Sequence, residues 1–133
     1  MLDYDVKILT AFAMTFGNDG EVFYKWLLSN GYPELAALNE AIKGSKLAFK
    51  WLVDHKYFHL AAIDSILDGS QSARTGLREY NFEGLVYLAD AIKQDSFAIN
   101  WLKERNLDIY IFIAKKIEVY LNSKKNNPLK FNF

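Results

Sequence analysis

The chain reads as an all-α protein, a short αα-repeat solenoid of about four 25-residue helix–turn–helix units with a degenerate N-terminal cap. Three observations predict this. Trp26-Leu27, Trp51-Leu52 and Trp101-Leu102 are separated by 25 or 50 residues, and Gly76-Leu77 stands at the intermediate step. The same step links Tyr32, Tyr57, Phe82 and Leu107, then Leu35, Leu60, Leu85 and Tyr110, then Leu38, Ile63, Leu88 and Ile113. Within each unit the apolar residues recur every three or four positions, the spacing of a helical stripe. A fixed period of this length marks an array of small units, each burying its stripe against its neighbours.

Residues 1–20 fit the frame loosely through Ala11, Phe12, Ala13 and Phe16 and are read as the cap. Units follow near 21–44, 45–69, 70–94 and 95–123, so that 1–123 form one helical-repeat domain and 124–133 a tail. In the second unit Leu47, Ala48, Trp51 and Leu52 stripe one helix and Leu60, Ile63, Ile66 and Leu67 the next. Gly44-Ser45 and Gly69-Ser70 are the junctions, glycine suiting a helix C-cap and serine the next N-cap.

The third unit carries Gly76 where its sisters carry tryptophan. Two outcomes stand open: a pocket at Gly76 and Tyr80 suited to an apolar ligand or a partner's anchor residue, or a gap closed by Tyr80, Arg74 or Phe97 swinging in or by the neighbouring helices moving closer, since voids are costly. Its first helix is also weak, because Ser70, Ser72, Thr75 and Gly76 are poor helix-interior residues, and it is expected to fray first.

In the fourth unit, Ile109 to Ala114 favours a strand by propensity, but the repeat register makes it a helix. That helix is apolar on more than one face, through Ile109, Tyr110, Ile111, Phe112, Ile113, Ile117, Tyr120 and Leu121. A terminal repeat needs a polar outer face, so something must cover the surplus. Two covers are expected: the tail, through Leu129, Phe131 and Phe133, or a second copy, giving a symmetric dimer through Ile109, Tyr110, Phe112 and Tyr120.

The stretch Leu38 to Leu52, with Ala41, Ile42, Gly44, Ala48 and Trp51, resembles the helix–turn–helix half of an ankyrin repeat, and the pattern recurs over Leu88–Leu102. The period is 25 rather than about 33, and the Thr-Pro-Leu-His signature is missing. The resemblance therefore implies an ankyrin-like unit without its β-hairpin finger. It also implies that the second helix of each unit lines an inner, concave face. Asn39, Glu40, Lys43, Asp64, Asp68, Asp90, Lys93 and Lys115 would then form a charged row there, acidic in the middle and suited to a basic protein partner.

Lysine plus arginine equal aspartate plus glutamate at 16 each, which argues against general affinity for nucleic-acid phosphates. Charge is uneven: residues 1–44 hold three basic and six acidic residues, and 94–133 seven basic and four acidic. The chain has no cysteine, which excludes thiol chemistry. Asp3 and Asp5 precede the first apolar stretch, unlike a secretory signal, and the uncharged run Ile8–Asn18 is too short to span a bilayer; a cytoplasmic protein without membrane contact is expected.

No catalytic pattern emerges. His55 and His59 straddle a turn with no third ligand implied, and there is no Gly-x-Ser-x-Gly elbow or phosphate loop. The expectation is a protein with no enzymatic activity, no cofactor and no metal: an interaction scaffold, including an inhibitor- or immunity-like form. The alternative is a binder of a small apolar ligand at Gly76.

Overall fold

The computed structural model describes residues 2–125. Among them are nine α-helices and no strand: α1 (Val6–Met14), α2 (Gly20–Ser29), α3 (Pro33–Ile42), α4 (Lys46–Asp54), α5 (Phe58–Leu67), α6 (Gln71–Glu79), α7 (Glu83–Ile92), α8 (Ser96–Glu104) and α9 (Asp108–Lys125). The expected fold class is present, and Ile109 to Ala114 lie inside α9. Tertiary packing overrides the local strand preference there, because Tyr110, Ile113 and Ala114 fall on one helical face and are all buried.

The 25-residue step is written into the turns. Gly31, Lys56, Asn81 and Asn106 all take positive φ, at 86°, 66°, 65° and 58°, and each closes an outer helix. The next residue then donates its backbone N–H back across the turn: Tyr32 to Leu27, Tyr57 to Leu52, Phe82 to Leu77 and Leu107 to Leu102. This is the Schellman pattern. Gly44, Gly69 and Gln94 repeat it at the ends of α3, α5 and α7. Ser45, Ser70 and Asp95 follow and cap α4, α6 and α8, accepting from Ala48 N, Ala73 N and Phe97 N. Each unit is thus two helices joined by two turns of the same hand.

The even helices α2, α4, α6 and α8 each pack between two odd ones. The odd helices pack in series, α3 on α5, α5 on α7 and α7 on α9. The core runs along them through residues that recur at the repeat step: Leu27, Leu52, Leu77 and Leu102 on the outer helices, and Leu35, Leu60, Leu85 and Tyr110 on the inner ones, are all buried.

The two ends of the array meet. α1 packs against α2, α3 and α9. The Tyr110 hydroxyl accepts from Leu2 N and donates to Leu2 O at one end of the contact, and Phe16 meets Tyr120 edge-on at the other, with centroids 5.9 Å apart. The helices therefore run the same way, and α1, α3, α5, α7 and α9 close into a ring. α1 occupies the place of an inner helix, packed between α3 and α9. It supplies the cover that α9 requires: Tyr110, Ile113, Ala114 and Ile117 are buried. This is a third solution, beside the two expected from the sequence; the tail residues Leu129, Phe131 and Phe133 lie outside the described residues. No described helix is long and apolar enough to cross a membrane.

Candidate functional site

Three of the four units fill one slot with their own indole. Trp26 stacks on Tyr32 at 6.4 Å between centroids. Trp51 stacks on Tyr57 at 6.0 Å and on His55 at 4.0 Å. Trp101 lies on Tyr87 at 4.4 Å, with the Arg105 guanidinium 3.9 Å from its centre. In the third unit the slot holds Gly76, and a Cβ built there meets nothing within 4 Å.

The space stays open. Tyr80 is 76% exposed. Arg74 is committed elsewhere, donating to both Asp90 carboxylate oxygens at 2.9 and 2.7 Å. Phe97 is 65% exposed and leans on Tyr87. None of the three side chains that could have filled the gap does so. The result is a groove of about 510 Å³ lined by Lys56, Phe58, His59, Ala62, Ala73, Gly76, Leu77, Tyr80 and Phe82. Phe82, left without a tryptophan, stacks instead on His59 at 5.1 Å. Burial lowers the His59 pKa, which favours the neutral ring at neutral pH. The lining contains one lysine and no carboxylate, and Lys56 makes no ion pair among the described residues.

Several residues of the charged row serve contacts within the chain. Asn39 is 3% exposed and donates its side-chain amide to the Thr15 hydroxyl at 2.8 Å, tying α3 to α1. Lys43 reaches Thr15 O at 3.4 Å and lies over the Tyr120 ring, while Lys93 reaches Ile66 O at 3.4 Å. Each lysine places a cation at the C-terminal end of the preceding inner helix, where the helix dipole favours it. Asp90 is paired with Arg74. Glu40 and Lys115 are exposed. Asp64 on α5 and Asp68 at its C-cap line a common groove, and burial, followed by the Asp68 charge, pushes the Asp64 carboxyl up to about 6.

Of the α9 residues set out as a dimer surface, Tyr110 is 3% exposed beneath the N-terminal segment and Tyr120 is partly covered by Phe16 and Lys43. Ile109 is half-buried, and Phe112 is 38% exposed. Reading the sequence also missed Phe58 and Phe82 as groove walls. A signal was present for Phe82, which falls one step from Tyr57, the residue that stacks on Trp51.

Among the described residues no three His, Cys, Asp or Glu side chains gather as a metal site. His55 donates its Nδ1–H to Trp51 O, four residues back, and stacks on that indole. No protein-family model matches the chain, and no curated protein or solved structure matches it either.

Proposed function

We propose that this protein is a non-catalytic interaction module that binds another protein at the Gly76 groove, on an ankyrin-like array of units lacking the β-hairpin finger. The observation that carries the reading is the groove itself, an aromatic-walled slot that three sister units fill from within. Phe58 and Tyr80 stand on its rim 59% and 76% exposed, the kind of apolar surface that becomes favourable when a partner covers it. The charged row contributes less, since Asn39, Asp90, Lys43 and Lys93 already serve contacts within the chain.

The test is a photo-crosslinking amino acid placed at position 80, with a control at position 115, exposed on α9 and outside the groove lining. A discrete crosslinked protein is expected from position 80 and not from 115. Equal labelling at both positions, or none at 80, ends the reading. The second reading, a free apolar ligand in the same groove, is favoured by the groove's volume and apolar walls. It requires a bound small molecule to co-purify with the native protein.

A further inference from the structure

We infer that the Gly76 groove receives a tryptophan side chain of the partner, flanked in the partner's sequence by a carboxylate. This rests on the protein-binding reading above.

The repeat supplies the shape. Trp26, Trp51 and Trp101 hold the same register position, so the walls one unit away are built around an indole. Phe82 stands where Tyr57 stacks on Trp51, and Ala62 stands where Tyr87 stacks on Trp101. The small residue at 62 and the missing side chain at 76 together clear the slot.

Charge supplies the neighbour. Lys56 borders the groove, no acid lines it, and the only other titratable groups on the lining are His59 and Tyr80. A carboxylate beside the entering ring would meet Lys56 without desolvating a competing acid. Exposure argues for a side chain rather than a free ring. A small ligand is normally enclosed over roughly 70–90% of its surface, whereas Phe58 and Tyr80 would stay wet around a lone indole. A tryptophan borne on a larger surface covers them together with the slot.

The test titrates the isotope-labelled full chain with the peptide acetyl-Gly-Asp-Trp-Asp-Gly-amide and follows backbone amide shifts. Shifts centred on Ala62, Ala73, Gly76 and Leu77 are expected. Replacing the peptide's tryptophan by alanine should weaken binding about tenfold or more, the loss typical of a central anchor. Lys56→Glu should weaken the acidic peptide and improve a version with lysines in place of the two aspartates. Gly76→Trp should abolish binding while keeping the fold, as judged by its melting transition. Should that variant not fold, Ala62→Tyr blocks the same slot with the side chain the next unit already carries there. No shifts, or shifts unchanged in the blocked variant, overturn the inference, as does indole-3-acetate binding where the peptide does not. A partner that still crosslinks at position 80 when the slot is blocked overturns it too, and leaves the protein-binding reading standing.

Discussion

Asp64 couples its own titration to folding. It sits half-buried on α5 with Asp68 one turn on, and these two causes, burial first, raise its carboxyl from an ordinary value of 3.8 to about 6. The native state therefore holds a proton that the unfolded chain has already released. Stability contributed this way is complete below about pH 4 and is lost as pH rises through about 6. Asp64→Asn keeps the shape of the protonated acid without its titration. Its melting temperature is expected to match the wild type near pH 4 and to exceed it at pH 8. Thermal melts across that range decide the matter; a variant no more stable than wild type at pH 8 would show that the ionised carboxylate is well solvated. The sequence placed Asp64 beside Asp68 on a helix face but could not reveal the shift, because burial of a surface carboxylate is set by the neighbouring helix.

Among the elements, α6 is held least by its own residues. Of its nine positions only Leu77 is buried, and Ser72, Thr75 and Gly76 all lower helix propensity. The Arg74–Asp90 pair, with both partners largely covered, pins it to α7. In the sister units the corresponding positions are Tyr24 with Glu40, which are hydrogen-bonded, Phe49 with Ser65, and Ile99 with Lys115, so among the four units only the third places an ion pair there, on its weakest helix. Gly76→Ala adds a methyl into open space and should stabilise by roughly 0.5–1 kcal/mol from propensity alone. In native-state hydrogen exchange the α6 amides should be the fastest of the even helices, and Gly76→Ala should slow them. Equal rates across α4, α6 and α8 would refute this account. The weakness was legible in the sequence, as were the helix pairs, the buried leucines and the Gly-Ser junctions, because each follows from local spacing. The slot at Gly76 was legible as a gap, but whether it stayed open was not. That depended on Arg74 choosing Asp90, sixteen residues away, over the empty space beside it. The remaining turn slots were hidden for another reason: Lys56, Asn81, Gln94 and Asn106 adopt the left-handed conformation that Gly31, Gly44 and Gly69 advertise by residue type.

At the scale of the whole molecule, the joining of α1 to α9 changes how stability is shared. In an open array each unit feels only its neighbours, and damage at one end stays there. Here α1 bridges residues about a hundred positions apart in the chain: Leu2 to Tyr110, and Phe16 to Tyr120. Such a contact leaves no mark in a 25-residue period, since α1 lacks the Trp-Leu signature and its target is the last unit rather than the next. Only the surplus apolar face of α9 signalled that a cover was needed. Closure makes a sharp prediction through Ala13, which is fully buried on α1. Ala13→Arg forces a charge into the buried face of α1 at a cost of several kcal/mol. If the ring is the unit of stability, hydrogen exchange should quicken in α1, α9 and α3 while α5, across the ring, keeps its protection until global unfolding. Uncovering Ile113 and Ile117 should also raise the mass seen by light scattering as exposed faces associate. If α1 alone loosens while α9 keeps its protection, the array behaves as an open solenoid and its N-terminal helix is only a cap.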